Sequence, residues 1–175
     1  MSLSDWWCSP PEITLRLTEF YGGPVEVDPC SNERSIVNAI LAMTSGGLVL
    51  PWRLPPARYP NAKGTGYQND PYSKAGLWTT KMLAELAAGN LREHIRLSMF
   101  STSSWWWADM CYKPRRNPRI LALKRLAFLD PYAKDAGQKR MSCRFEPALT
   151  YFGPRVRQFD HVFAPLTRWS TWGRS

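Results

Sequence analysis

Short apolar, β-branched runs alternate along this chain with stretches whose apolar residues recur at helical spacing, and Gly or Pro marks most of the switches. That alternation is the pattern of strands joined by helical crossovers. It predicts an α/β fold with a mostly parallel central sheet and helices on both faces. At 175 residues the chain suits a single domain with one real core. Ser9-Pro10-Pro11-Glu12 reads as a helix start, with Ser9 as N-cap and Glu12 completing a capping box. Ile13, Leu17 and Phe20 continue that helix to Gly22-Gly23. Strands are expected at 25–27, 48–50, 67–68, 95–100, 120–123, 126–129 and 148–152, the pair 120–123 and 126–129 lying side by side. Helices are expected at 32–43, 74–88, 105–110 (capped by Ser103) and from Gly153-Pro154 to 163. The Pro- and Gly-rich stretch 51–66 is a long loop, of the kind that often carries function.

Charge narrows the class of partner. Residues 1–110 hold 9 Lys and Arg against 10 Asp and Glu, while residues 111–175 hold 14 against 4, so the net charge of +9 resides in the last third. A segment this basic points to a polyanion, most simply nucleic acid, against the alternative of a merely solvated face. Arg115, Arg116, Arg119, Lys139 and Arg140, in basic loops at about 111–119 and 130–144, are the candidate phosphate contacts. No apolar run approaches the roughly 20 residues of a membrane span. The first residues carry no secretory signal pattern. Four cysteines without a CxxC pair, and only two histidines, leave little for a disulfide framework, a zinc site or a His-based triad, and fit a reducing cytoplasm. No metal is expected.

Nine tryptophans include the unbroken run Trp105-Trp106-Trp107. Three consecutive helical positions point three ways. At least one ring is therefore expected outside the core, where it could stack on a base, or two are buried at a helix start.

The chemistry concentrates in two predicted strand ends, Asp28-Pro29-Cys30-Ser31 and Asn69-Asp70-Pro71-Tyr72. Open α/β sheets bind ligands at the carboxyl ends of their strands. An acidic residue there can hold the polar part of a nucleoside cofactor. An Asn followed by a rigid turn and an aromatic has another use. Its side-chain carbonyl and the next backbone carbonyl can accept both hydrogens of an exocyclic amine, while the ring stacks on the base.

In order along the chain, these pieces resemble the phage-type DNA adenine-N6 methyltransferases. Ser9-Pro10-Pro11-Glu12 is similar to that family's Thr-Pro-Pro-Glu segment, and Val25 to Ser31 to its Asp-Pro-Cys-Ala strand end. Gly47-Leu48 and Pro51-Trp52 match a Gly-Leu…Trp stretch, and Tyr67 to Ser73 resembles the catalytic Asn-Pro-Pro-Tyr segment. Ser101 to Trp106, Arg125-Leu126-Ala127-Phe128 and Phe145 to Pro154 match the later strand ends. The resemblance implies a Rossmann-like class I methyltransferase fold and S-adenosylmethionine held by Ser9, Pro10, Pro11, Asp28, Pro29 and Cys30. It implies a DNA adenine flipped from the stack to Asn69, Asp70, Pro71 and Tyr72. It also implies protection of phage DNA in a host cytoplasm.

Three departures stand out: Asp70 where the motif has Pro, Arg96 and Ser98 in a strand that is normally apolar, and Ser31-Asn32 where a Gly-rich turn is usual. Asp70 could contact the amine, tune it, or mark a site that no longer methylates. Transfer to cytosine N4, transfer of a bulkier group to adenine, and an inactive DNA-binding protein on the same scaffold therefore stay open.

Overall fold

The computed structural model describes residues 7–113, 117–130, 132, 140–143 and 145–168. Its elements are α1 (Pro11–Tyr21), β1 (Val25–Asp28), β2 (Ala39–Ala42), β3 (Thr65–Asn69), α2 (Ala75–Ala87), β4 (Glu93–Met99), α3 (Trp105–Cys111), β5 (Arg119–Ala122), β6 (Ala127–Leu129), β7 (Arg140–Ser142), β8 (Pro147–Phe152) and α4 (Val156–Phe163). Six strands form one sheet in the order β2-β1-β3-β4-β8-β5. The first four run parallel, and β8 is antiparallel to both of its neighbours. β5 is thus parallel to β4, and the carboxyl ends of β1 to β5 all meet one edge of the sheet. The expected mostly parallel α/β architecture is present.

Helices cover both faces. On β8, Leu149 and Tyr151 join a core with Ile13, Leu17 and Phe20 of α1 and Phe159 and Phe163 of α4. Ala148 and Phe152 join the opposite core, with Trp78 and Met82 of α2 and Trp106, Trp107 and Met110 of α3. Alternation along one strand feeds both layers. Every residue of β1 and of β8 is buried, as strands covered on both faces require.

Local chemistry explains the boundaries. Pro11 occupies the first turn of α1, where its missing N–H costs nothing. Gly22 closes the helix at φ 71°, and the Gly22 and Gly23 N–H groups both donate to the Thr18 carbonyl.

Several sequence expectations are corrected. Pro10, not Ser9, is the N-cap residue of α1, with no side-chain cap; the Ser9 hydroxyl shares a 2.6 Å hydrogen bond with the Tyr67 hydroxyl instead. Residues 32–43 form no helix. Their apolar residues serve strand β2, whose burial alternates as on an edge strand covered from one side. Residues 48–50 lie in a turn closed by Val49 and Leu50 N–H donating to the Gly46 carbonyl. Ser104 rather than Ser103 precedes α3. Strands β5 and β6 do not pair with each other. The corner at Lys124-Arg125 turns the chain out of the main sheet, so β5 joins β8 while β6 pairs with β7. Cys8 adds to the other side of β6, exchanging both backbone hydrogen bonds with Leu129 at 3.0 and 3.1 Å.

Candidate functional site

Where β1, β2 and β3 end, a cleft of about 310 Å³ opens. Its walls come from Pro29, Cys30 and Ser31 after β1, from the 43–49 segment after β2, and from Pro71 and Trp78. Mostly apolar walls with a few polar groups are the usual make-up of a small-molecule site. The 43–49 wall is built rather than loose. The Trp52 indole N–H donates to the Gly47 carbonyl at 2.6 Å, and Trp52 is fully buried. A Cβ at Gly47 would stand 1.8 Å from the Pro29 carbonyl oxygen, so only glycine lets this segment close on the β1 turn.

Asp28 itself does not line the cleft. It is buried beneath, accepting a 3.2 Å hydrogen bond from the Cys30 N–H and so shaping the turn. Burial pushes its carboxyl up to about 7, against the lowering effect of the Cys30 and Ser31 hydrogen bonds. Pro29 and Cys30 do line the cleft. The Ser9–Pro11 segment is fixed over β3 by the Ser9–Tyr67 bond.

Asn69 ends β3, two residues before Pro71. Its Nδ2 donates to the Trp7 carbonyl at 2.9 Å, and its Oδ1 accepts a 3.3 Å hydrogen bond from the Tyr72 hydroxyl. A carbonyl can only accept, so Trp7 fixes the amide's orientation and leaves Oδ1 with a spare lone pair. Tyr72 is half-buried and braced edge-to-face by Phe145 and Phe128, with centroids at 4.6 and 6.3 Å. Pro71 thus belongs to both places, as a wall of the cleft and as the link between Asn69 and Tyr72.

The Asp70 side chain turns away from this edge into the core. Arg96 grips it with two bonds of 2.8 Å, Nε to Oδ1 and Nη2 to Oδ2, and Gln68 donates to Oδ1 at 2.8 Å. Arg96 also donates to the Thr79 hydroxyl at 2.5 Å and the Ala75 carbonyl at 3.0 Å of α2, and its guanidinium lies 5.0 Å from the Trp106 ring. His94 continues the layer by contacting Gln68 Oε1 at 3.0 Å. Two apparent anomalies of the sequence are therefore one structural unit: the carboxylate of Asp70 after β3 is matched by the Arg96 guanidinium that interrupts β4. The sequence reading missed this pairing, although its signal was there, two anomalies of opposite charge at two strands' ends and centres. It also missed Trp7, Trp78 and the 43–49 wall.

The tryptophan run divides as its helical geometry requires. Trp106 and Trp107 are buried, and Trp105 is 65% exposed, beside Gly76 in the first turn of α2.

The basic candidates fare differently. Arg115, Arg116 and Lys139 lie outside the described residues, as does the side chain of Arg140, whose backbone belongs to β7. Arg119 starts β5, at the sheet end opposite the cleft, and pairs with Asp160 of α4 at 2.6 Å. It is not among the groups gathered at the cleft.

No family model matches the chain, and no curated protein or solved structure matches it.

Proposed function

We propose that the protein is an S-adenosylmethionine-dependent DNA methyltransferase acting on adenine N6, on a Rossmann-like methyltransferase sheet. The observation that carries the reading is the place of Pro71, which lines a nucleoside-sized cleft and links the oriented Asn69 amide to Tyr72. The cleft's size, apolar faces and polar Ser31, Thr44 and Ser45 suit a nucleoside cofactor, with Pro29, Cys30, Gly47 and Trp78 as its contacts. S-adenosylmethionine, when bound, supplies an electrophilic methyl group.

The chain's own residues do the rest by positioning. Asn69 Oδ1 accepts one hydrogen of the exocyclic amine, and the backbone carbonyl after it accepts the other. The nitrogen lone pair then faces the cleft. Tyr72 offers its ring to the base, which must leave the duplex to reach it. Asp70 contributes its carbonyl rather than its carboxylate, because Arg96 already binds both carboxylate oxygens. A charged side chain at the motif's second position is thereby compatible with a neutral amine site.

Mass spectrometry of nucleosides from plasmid DNA tests this, using a methylation-free host that expresses the chain. N6-methyladenine is expected, and it should fall at least about a hundredfold with Asn69→Ala, the scale on which positioning groups act. A different modified base would move the chemistry to cytosine N4 or to a larger group. No modified base from folded protein would refute the enzymatic reading.

A further inference from the structure

A second concavity, of about 290 Å³, opens on the same edge of the sheet as the cleft, beyond β4. Its charged lining is Lys124, Arg125 and Arg168, with Glu146 as the one carboxylate. All four residues are exposed. None of the three cations was singled out by the basic loops of the sequence.

The fold builds this cluster deliberately close. β5 delivers Lys124 and Arg125 just past its carboxyl end. The segment after α4 then comes back alongside. The Lys124 N–H donates to the Leu166 carbonyl at 2.8 Å and the Arg168 N–H to the Ala122 carbonyl at 3.1 Å, around a bridge between Leu123 and Thr167. Two segments more than forty residues apart in sequence are thus locked by backbone bonds with their cations on one concavity, and the Lys124 ammonium also donates to the Pro165 carbonyl at 3.4 Å. Among the described residues, only Arg168 of the three has a carboxylate partner, Glu146. Like charges brought together this way repel, and an exposed ion pair offsets little of it. A polyanion removes the repulsion and gains counterion release.

Phe145 joins this groove to the proposed base site, since it lines the groove and packs on Tyr72 with centroids 4.6 Å apart. From β3 to the β8–β5 edge is two to three strand spacings, roughly 10–15 Å. That is within reach of the phosphates flanking a base held at Tyr72.

We propose that the groove formed by Lys124, Arg125 and Arg168 binds the phosphodiester backbone of the DNA strand whose base enters at Tyr72. The strand assignment rests on the methyltransferase reading; the groove's affinity for DNA does not.

The test is fluorescence anisotropy of the full chain with a labelled DNA duplex across a salt series, for the wild type, the triple variant Lys124→Gln/Arg125→Gln/Arg168→Gln, and Glu146→Gln. Each phosphate contact contributes about 0.9 to the slope of log K against log salt, so the triple variant should lose about 2–3 from that slope and about tenfold or more in affinity. Its melting temperature serves as the folding control. Glu146→Gln frees Arg168 and should tighten binding a few-fold, so the proposal stays testable if the triple variant does not fold. An unchanged slope in a folded triple variant, no tightening with Glu146→Gln, or a wild type that does not bind DNA overturns the proposal. A normal salt response without any methylated nucleoside sinks the enzymatic reading and leaves the groove standing. Methylated product with an unchanged slope does the reverse.

Discussion

Asp70 and Arg96 stand 26 residues apart, both essentially inaccessible to solvent, and each satisfies the other with two hydrogen bonds. A buried pair of this kind adds little over a well-packed apolar pair, but removing one partner strands a charge in the core, at about 3–5 kcal/mol. We expect Arg96→Met and Asp70→Leu each to destabilise on that scale. The double variant should cost clearly less than the sum, because neither charge is then orphaned. Urea unfolding of the four species measures the coupling, and additive costs would mean the two side chains do not act as a unit. Arg96→Lys belongs with the damaging changes, since an ammonium cannot reproduce the planar fork. Neither residue alone announces the other in the sequence. A charged residue in a parallel strand reads as a flaw until its partner is known, and partners across a sheet depend on strand order, which local pattern does not contain.

At the level of elements, the cleft depends on one close approach, that of the 46–49 turn to the end of β1. Gly47→Ala would place a methyl 1.8 Å from the Pro29 carbonyl oxygen, with Trp78 Cη2 at 2.9 Å on another side. The turn must then shift, at about 1–3 kcal/mol for overpacking. The S-adenosylmethionine affinity that the proposed function requires, read by calorimetry, should fall about tenfold or more. Undiminished affinity would place the ligand outside this cleft. The helices α1, α2 and α4 and the strands β1, β3, β4 and β8 were legible because Gly and Pro punctuate them and their apolar spacing has one reading. The strand β2 was not. Ile36, Val37, Ile40 and Leu41 fit a helix of moderate amphipathicity as well as an edge strand. What decides is β1, which needs a neighbour on its open side. The same holds for β5 and β6, each apolar enough to pair with the other, whose true partners β8 and β7 follow later in the chain. The strand-end segments after β1 and β3 were legible as strand ends; the wall opposite the β1 turn was not, because it is made by a close contact between loops.

For the molecule as a whole, two buried groups give opposing responses to pH. Burial, with a smaller push from Arg96, holds the His94 imidazole down at about 3, and burial lifts Asp28 to about 7. Unfolding returns them to ordinary values near 6.5 and 3.8. Between about pH 3 and 6.5 the unfolded chain binds a proton at His94 that the native protein refuses, so this group removes stability as pH falls. Between about pH 4 and 7 the native protein holds a proton on Asp28 that the unfolded chain has released, so this group adds stability as pH falls. Over the shared window the two nearly cancel. Removing either should expose the other, at up to about 1.4 kcal/mol per pH unit for one proton. Relative to the wild type, Asp28→Asn should therefore lose stability as pH drops from about 6.5 to 4.5. His94→Gln should gain it over the same interval. Urea unfolding at three pH values reads both differences, and subtracting the wild type cancels the surface carboxylates common to all three proteins. Two flat difference curves would mean that neither group is held away from its ordinary titration. A flat Asp28→Asn curve beside a rising His94→Gln curve would mean that Asp28 is charged in the native protein, its turn hydrogen bonds outweighing its burial.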